Sequence, residues 1–447
     1  MPYRLIIFLS ALVLLTSCGS SDWKQFHGGE ANVGYIGVNS NPGLIPKWNK
    51  PMHIGLITYS SPAIANDGTI YLGTTTGVLV AIKNDGSGFK WIFRSSDELG
   101  YINPCIVSSP AIGRNGDIYF TVTYDRTDCV ECGYTTSLVK LNPDGNLLKS
   151  FDLNQKVTGF GLYYTTASPK VLDYQGSDFI FIAYRGSVIG FNADLQEVIR
   201  HQLNCSGDLK QPTLPGILDF EGLSLFRGAP GGARYYNEYR AADNHWIDPT
   251  IAILRKINQE ELAAPLIVVA MNRCGLEAFE WNPPPIPGLK SKWFAPRTFE
   301  ELLSSPSISE SGEVILGSSS GWLFSYDALT GKHNWILNIN EPVVSTSSFY
   351  AGVTDLYAVG ENHLFRIANG SLVNKFPLPA KTQSSCAISM DRIIVSSTGG
   401  ILSLSIDFTS NVLDNTLFGG MSSPAIGMDG TIYVVTNNGA LMAYKGK

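Results

Sequence analysis

The sequence carries little charge, which limits the kinds of structure and partner it can have. Only 16% of its 447 residues are Asp, Glu, Lys or Arg, and long charged helical stretches are missing. The 32 basic and 38 acidic side chains give a net charge of −6, and the basic ones form no cluster. A chain of this kind is a poor candidate for binding nucleic acid or an anionic membrane surface. Its 45 Gly and 20 Tyr favour strands joined by turns.

The N-terminal segment is too short an apolar run to span a bilayer as a mature helix. Arg4 precedes the apolar residues 5–15, and Thr16-Ser17-Cys18 follow them, which is typical of a secretory signal peptide. A Cys at the cleavage position resembles the lipobox of bacterial lipoproteins, in which that Cys is acylated. The resemblance predicts a signal peptide over 1–17, lipid attachment at Cys18 and a short lead over 18–22. An ordinary signal peptide with an incidental Cys is the alternative.

This resemblance also implies a location. No acidic residue follows Cys18 in Gly19-Ser20-Ser21, and an Asp there would signal inner-membrane retention in lipoproteins of the enteric type. We therefore expect a bacterial envelope protein held by lipid at the outer membrane, on the periplasmic face rather than the cell surface.

The cysteines and histidines lack the spacing that most of their chemistries require. Cys129-Val130-Glu131-Cys132 has Gly133 where haem attachment needs a His, and no second ligand pair for zinc. A small disulfide or loop staple between Cys129 and Cys132 is therefore expected, and no metal site. Six cysteines follow Cys18, which permits up to three disulfides with their pairing open.

A possible nucleophile motif occurs at residues 317–321, Gly-Ser-Ser-Ser-Gly. The Gly-x-Ser-x-Gly motif of hydrolases requires a turn from a strand into a helix. Here the segment lies at the same repeat position as Gly-Thr-Thr-Thr-Gly at 73–77. It is therefore predicted to be a hairpin turn, and no catalytic residue is assigned.

One phrase recurs along the chain and indicates the architecture. It consists of Ser-Ser-Pro-Ala-Ile, an Asp-Gly or Asn-Gly turn, and a strand of β-branched and aromatic residues. Two further strands follow in each copy. Clear copies begin at Ser60, Ser108, Ser304 and Ser422, and looser ones at Ser168, Asp248, Ser345 and Ser384.

Four antiparallel strands repeated every ~40–60 residues are typical of a β-propeller. The eight copies predict an all-β fold: a single eight-bladed propeller of four-stranded antiparallel blades over 23–447. The last copy has only three strands before Lys447. We expect an N-terminal strand, Trp23–His27, to complete that blade.

The segment from Tyr326 to Trp335 resembles the docking motif of the pyrroloquinoline-quinone-like (PQQ-like) propeller repeats, Ala-x-Asp-x-x-Thr-Gly-x-x-x-Trp. Asp327, Thr330, Gly331 and Trp335 match it, whereas Tyr326 replaces the usual small residue. The opening Trp23-x-x-Phe26 and Asn32-x-Gly34 also resemble that family. The resemblance implies that the Trp packs between adjacent blades and that these residues are structural.

Two branches of this family differ in function. Quinone-dependent dehydrogenases hold the cofactor and calcium in the central channel, and the alcohol dehydrogenase type clamps the cofactor with adjacent disulfide-bonded cysteines. This chain has no adjacent cysteines, and no Glu, Asn and Asp set can be matched to the calcium ligands. The other branch consists of non-enzymatic lipoproteins, including the BamB component of the outer-membrane β-barrel assembly machinery. The resemblance to that branch implies no cofactor and no enzymatic activity.

Residues 206–247 depart from the repeat and form a predicted insertion before blade 4. Tyr and Arg dominate interface hot spots, and long loops on rigid scaffolds often carry function. A packed insertion that only covers a blade edge is the open alternative. The candidate contact residues are Arg227, Arg234, Tyr235, Tyr236, Tyr239 and Arg240.

The sequence thus predicts a monomeric, non-catalytic propeller that acts as a rigid scaffold for other envelope proteins, with the β-barrel assembly machinery as the most specific partner. Exposed blade edges could receive peptide segments by strand addition. Two alternatives remain: a propeller that binds a ligand or glycan, and a divergent quinone-dependent dehydrogenase.

Overall fold

The computed structural model of the protein describes residues 23–55, 59–125, 134–154, 165, 167–184, 186–203, 250–271, 275–296, 304–350, 355–420 and 422–446. The predictions for Cys18, for Cys129 with Cys132, and for the insertion at 206–247 lie outside these residues. Within them, no helix has both the length and the apolar character needed to cross a membrane.

The predicted architecture is confirmed: eight antiparallel blades, each led by a short inner strand. Blades 1, 3 and 4 begin at the predicted copies of the phrase; in blade 2 an additional strand, β6, precedes the copy at Ser108 and pairs with β8 beside β7. Their strands are, for blade 1, β2 (Ala63–Ile64), β3 (Ile70–Gly73), β4 (Val78–Ile82) and β5 (Phe89–Arg94); for blade 2, β6 (Ile102–Cys105), β7 (Ala111–Ile112), β8 (Ile118–Asp125), β9 (Tyr134–Leu141) and β10 (Leu147–Asp152); for blade 3, β11 (Lys170–Tyr174), β12 (Ser177–Tyr184), β13 (Ser187–Asn192) and β14 (Glu197–Gln202); and for blade 4, β15 (Ala252–Ile257), β16 (Glu260–Met271), β17 (Gly275–Asn282) and β18 (Gly288–Pro296).

Blades 5 to 8 repeat the same order, and blade 8 takes its fourth strand from the other end of the chain. Their strands are, for blade 5, β19 (Ser307–Ile308), β20 (Glu313–Gly317), β21 (Trp322–Asp327) and β22 (His333–Asn338); for blade 6, β23 (Ser348–Phe349), β24 (Asp355–Val359), β25 (His363–Ala368) and β26 (Ser371–Pro377); for blade 7, β27 (Ala387–Ile388), β28 (Arg392–Ser397), β29 (Gly400–Ser405) and β30 (Asn411–Asp414); and for blade 8, β31 (Ala425–Ile426), β32 (Ile432–Val435), β33 (Ala440–Tyr444) and β1 (Met52–His53). The described helices are a 3₁₀ turn, Phe26–Gly28, and α1, Ser95–Leu99.

The strand that completes blade 8 is not the predicted one. Met52 and His53 pair with Leu441 and Ala440 of β33, whereas Trp23–His27 runs into the 3₁₀ turn. Closure by the N-terminal part of the chain is therefore right, but the assignment to Trp23–His27 is wrong. The tryptophan-containing pattern that suggested it belongs to a segment that lies against the inner strands instead.

The paired serines of the recurring phrase have two separate structural uses. The first Ser lies within its own blade, where Ser60 Oγ accepts the Gly73 amide at 3.1 Å. The second accepts a backbone amide from the preceding blade, as Ser109 Oγ does from Ser61 at 2.9 Å. This second bond recurs from blade to blade at 2.9–3.1 Å and closes from Ser423 onto Ser61; its donor–acceptor pairs are 61–109, 109–168, 168–250, 250–305, 346–385, 385–423 and 423–61. Buried amides at the blade junctions are thereby satisfied.

The Gly-x-Ser-x-Gly prediction is confirmed as a hairpin. Residues 318–321 connect β20 to β21, which pair antiparallel from Gly317 opposite Leu323. Ser318 Oγ accepts the Trp322 amide at 3.1 Å and so stabilises the turn.

Candidate functional site

The inner edge of the propeller is covered by residues 23–38, which we name the axial segment. An inner strand pairs with its own sheet on one side only, so its other edge presents unpaired backbone groups to the central channel. The axial segment accepts these amides from successive blades. The donor and acceptor pairs are Ile64–Trp23, Ile112–Lys24, Ile253–Glu30, Ile308–Ala31, Phe349–Val33, Ile388–Gly34 and Met390–Val38, with N···O distances of 2.7–2.9 Å.

Two amide side chains of the axial segment add to this backbone pairing. Gln25 Oε1 accepts the Val171 amide at 2.9 Å, and its Nε2 donates to the Val171 carbonyl at 3.2 Å. Asn32, which is fully buried, donates to the carbonyls of Ile251 and Pro306. Blades 3, 4 and 5 are therefore joined to the axial segment by side chains that imitate a strand.

The axial segment also crosses the channel from blade 3 to blade 6. Lys170 Nζ of blade 3 donates to the carbonyls of Phe26 at 2.7 Å and Gly29 at 2.5 Å, which holds the 3₁₀ turn. On the other side, His27 Nε2 lies 3.0 Å from Ser348 Oγ of blade 6. Because Ser348 donates to the Cys386 carbonyl, His27 is expected to donate to Ser348. The axial segment thus links blades 3 and 6 at this level.

Burial sets the charge state of the groups in this crossing. It lowers the pKa of His27 to about 3, with a further contribution from the Lys170 charge, so His27 is neutral at neutral pH. Burial also lowers the pKa of Lys170, against the opposing charge of Glu30. Glu30 accepts an ion-pair contact from Arg255 at 2.9 Å, yet burial raises its pKa to about 7. His27 and Lys170 are buried, whereas Glu30 is partly exposed beside Arg255.

Gly34 is the position where the crossing depends on glycine. Its φ is +68°, and a Cβ there would overlap His27 Nε2 and Ser348 Oγ. A positive φ is unfavourable for most residues with a side chain, and only glycine leaves that space free. The contact between His27 and blade 6 therefore requires Gly34.

The channel-facing edges were compared with the needs of a bound quinone and calcium ion. The backbone donors that face the channel here already bind the axial segment. In the part of the chain that the structure describes, no group of three or more His, Cys, Asp or Glu side chains is placed to hold a metal ion.

Of the matched docking residues, Asp327 ends β21, Thr330 and Gly331 lie in the turn that follows, and Trp335 lies on β22. Asp327 Oδ1 accepts the amide of Thr330 at 2.8 Å and its hydroxyl at 2.7 Å. This turn receives Trp293 of blade 4: Trp293 Nε1 donates to the Ala328 carbonyl at 2.7 Å, and the ring packs on Gly331.

Trp335 makes the corresponding contact one blade further on. It packs on Gly370 of blade 6, while its Nε1 donates to Glu313 of its own blade at 2.7 Å. Trp91 and Trp48 make similar contacts with Gly145 and Gly86. Trp91 Nε1 donates to the Pro143 carbonyl and Trp48 Nε1 to that of Asn84. Four tryptophans, three on outer strands and Trp48 just before β1, thus pack on a glycine turn of the next blade.

The outer edges are irregular in most blades. A β-bulge puts one extra residue into the outer strand and twists it, which hinders pairing with another strand. Such a register shift occurs in blades 1 to 6; the extra residues are Lys90, Leu148, Val198, Lys292, Asn334 and Val373. In blade 8, residues 47–51 interrupt the pairing between the Pro46 bridge and Met52.

The predicted contact residues Arg227, Arg234, Tyr235, Tyr236, Tyr239 and Arg240 lie outside the described residues, between the end of blade 3 and the start of blade 4. Cys105 and Cys386 are buried, free and on different blades. The sequence interpretation missed Lys170. One feature of the sequence could have revealed it: blade 3 has Lys at the position where the inner strands of the other blades have Ala or Ser.

Solved structures show what this fold is similar to. BamB from Moraxella catarrhalis is 11% identical, with a TM-score of 0.55 over 89% of this chain and 100% of that chain. A europium-containing methanol dehydrogenase is 10% identical, with a TM-score of 0.61 over 94% of this chain and 90% of that one. Quinohemoprotein alcohol dehydrogenase from Comamonas testosteroni is 12% identical, with a TM-score of 0.60 over 96% and 81%.

The chain has the fold of the PQQ-like propellers. The predicted resemblance to BamB is confirmed at this level. No family model and no curated protein matches the sequence. Because the similar structures include both BamB and dehydrogenases at such low identity, they establish the fold and leave the activity open.

Proposed function

We propose that this protein is a non-catalytic, lipid-anchored propeller of the bacterial envelope that serves as a scaffold for other envelope proteins. The observation that carries the proposal is the axial segment. It occupies the backbone donors of the channel-facing edges in blades 1 to 7 and crosses the channel through His27 and Lys170. Binding by this molecule then falls to its faces and outer edges, which suit proteins better than a cofactor.

The finer assignment is a part in outer-membrane protein assembly at the periplasmic face. It is supported by similarity to BamB over nearly the whole length of both chains and by the lipobox-like sequence at Cys18. Lipid attachment at Cys18 and a contact surface over residues 206–247 belong to this proposal.

Crosslinking in intact cells tests the scaffold role. The full-length tagged protein is crosslinked, purified and analysed by mass spectrometry, with the matched variant Cys18→Ser as the control for anchoring. We expect the wild type to be acylated and to crosslink to the β-barrel assembly machinery, and Cys18→Ser to lose both the acyl group and the crosslinks. Recovery of no envelope protein by an acylated wild type would contradict the scaffold role.

A dye-reduction assay tests the alternative enzymatic reading directly. The purified protein is supplied with pyrroloquinoline quinone, calcium and a series of alcohols and sugars. We expect no reduction above that of a heat-denatured sample. Turnover that depends on the quinone would overturn the non-catalytic assignment.

A further inference from the structure

Blade 7 has the one regular outer edge among the blades that the structure describes. Its outer strand β30 pairs with β29 in continuous register, from Asn411 opposite Leu404 to Asp414 opposite Ile401. The other blades have a bulge or an interruption at this place. Bulges and interruptions are devices that discourage a further strand from pairing. Blade 7 lacks that protection.

The backbone of β30 presents unpaired groups to the outside. Ser405 donates its amide to the Ser410 carbonyl, and alternation along an antiparallel pair then directs the amide and carbonyl of Asn411 and Leu413 outward. In the described part of the chain, these groups have no hydrogen-bond partner. The edge is short, and it offers an incoming strand two residues with both a donor and an acceptor.

The side chains along β30 differ between its two sides. Val412 packs against the core cluster that includes blade 8. Leu413 is 43% exposed and lies opposite Leu402, which belongs to the cluster between blades 6 and 7. An apolar side chain on an added strand could therefore cover Leu413 beside that junction.

The turn before β30 adds a negative charge. Asp407 Oδ1 accepts hydrogen bonds from Ser405 Oγ at 2.7 Å and from the Thr409 amide at 3.1 Å. These bonds and that of the Thr409 hydroxyl lower the pKa of Asp407 to about 2, so the exposed carboxylate is ionised near neutral pH. A basic residue on the incoming strand would complement it.

We propose that the outer edge of blade 7 binds an extended peptide segment of a partner protein by strand addition. The segment pairs with Asn411 and Leu413, alternates apolar and polar residues, and carries a basic residue near Asp407. This inference rests on the proposed scaffold function, for which it supplies the binding mode.

A proline at an outward-facing amide blocks strand addition without removing a bond of the fold. Leu413→Pro is such a variant, since β29 does not use the Leu413 amide. Ile336→Pro in blade 5 is the matched control. Ile336 is 49% exposed, and its amide also faces outward because the flanking pair is made by Ile339 and Gly321, but its strand is bulged. Leu413→Lys is a second variant that keeps the backbone donor and removes the apolar contact.

The probe is a set of fluorescent decapeptides that alternate valine or leucine with threonine and carry one lysine. Binding to the purified full-length protein is followed by fluorescence anisotropy, and the fold of each variant is checked by circular dichroism. We expect binding to the wild type and to Ile336→Pro, a loss of about tenfold or more in affinity for Leu413→Pro, and a smaller loss for Leu413→Lys. No binding by any peptide, or equal losses in both proline variants, would overturn the proposal.

Crosslinking in cells separates failure of this site from failure of the scaffold role. If the wild type and Leu413→Pro capture the same envelope partner equally well, the scaffold role stands and the blade 7 site is wrong. If neither captures a partner although the wild type binds the peptides, the site stands and the scaffold role is wrong.

Discussion

The inner and outer edges of the same blades are protected from further strand pairing in different ways. At the inner edge, the axial segment pairs with blades 1 to 7, and buried side chains such as His27 and Asn32 fix its course. Among the residues that the structure describes, no comparable segment pairs with the outer edges, and bulges twist the strands of blades 1 to 6. The axial segment thus covers the inner edges, whereas β-bulges distort most of the outer edges.

The difference indicates where binding can occur. An inner edge already satisfied by its own chain has no donors left for another molecule. A distorted outer edge discourages pairing, whereas a regular one invites it. Blade 7 combines a closed inner edge with a regular outer edge, so it is the blade from which we expect partner recognition.

Trp293→Ala tests how firmly a bulged outer strand is fixed to the next blade. Trp293 is 9% exposed and packs on Gly331, so its removal should lower the free energy of unfolding by about 3 kcal/mol. Trp293→Phe, which loses mainly the bond to Ala328, should cost about 1 kcal/mol. Urea unfolding followed by intrinsic fluorescence measures both. An effect of Trp293→Ala below that of Trp293→Phe would show that the ring does not hold the junction.

Gly34→Ala tests whether the axial segment requires its close approach to blade 6. A Cβ would overlap His27 and Ser348, and φ is +68°, so we expect a loss of about 2–3 kcal/mol in unfolding free energy. Gly37→Ala is the matched control, because no atom lies within 4 Å of a Cβ there. Similar results for the two variants, measured by urea unfolding, would contradict the path of the segment.

Lys170→Met removes a buried lysine at the inner edge, and Lys149→Met removes an exposed lysine on an outer strand for comparison. The variant keeps the side-chain volume but leaves the carbonyls of Phe26 and Gly29 without their donor, which should cost about 2 kcal/mol. Lys149→Met on β10, whose lysine is exposed, should change stability by less than about 0.5 kcal/mol. Thermal and urea unfolding are suitable measurements. Stabilisation by Lys170→Met would mean that relief of lysine desolvation outweighs the two bonds.

The pH dependence of stability tests the burial of His27. Its folded pKa of about 3 lies below the ordinary histidine value of 6.5, so the stability it contributes is present above pH 6.5 and is lost as the pH falls towards 3. Between pH 6.5 and 5 the wild type should lose about 2 kcal/mol more than His27→Gln. Glu30 has a raised pKa of about 7, so its contribution is present below its unfolded pKa and is lost as the pH rises through 7. The comparison with His27→Gln at each pH removes the Glu30 contribution. Parallel pH profiles would contradict a buried neutral His27.

Leu413→Lys should have the smallest effect on stability. Leu413 is 43% exposed on an outer strand, so the substitution should alter the unfolding free energy by less than about 0.5 kcal/mol. A loss above about 1.5 kcal/mol in urea unfolding would indicate that another part of the chain packs on this edge.

Sequence patterns predicted the blades because each repeat carries its own signals. The Ser-Ser-Pro phrase, the Gly turns and the β-branched strands recur, and the serine bonds between blades explain the phrase. The axial segment contains no internal repeat, since it contacts a succession of different blades. Gln25 binds Val171, and Lys170 binds the carbonyl of Phe26, although the two segments are far apart in the sequence. Sequence spacing holds no information about such contacts. The tryptophan pattern at Trp23 was therefore assigned to the wrong edge.

The most direct test is amide hydrogen exchange resolved to single residues on the isolated full-length protein. The account predicts slow exchange for the inner-edge amides of Ile64, Ile112, Ile308 and Phe349, which bind the axial segment. It predicts fast exchange for Asn411 and Leu413 at the outer edge of blade 7. Slow exchange at Leu413, or fast exchange along the inner edge, would contradict the claim that the chain closes its inner edges and leaves this outer one open.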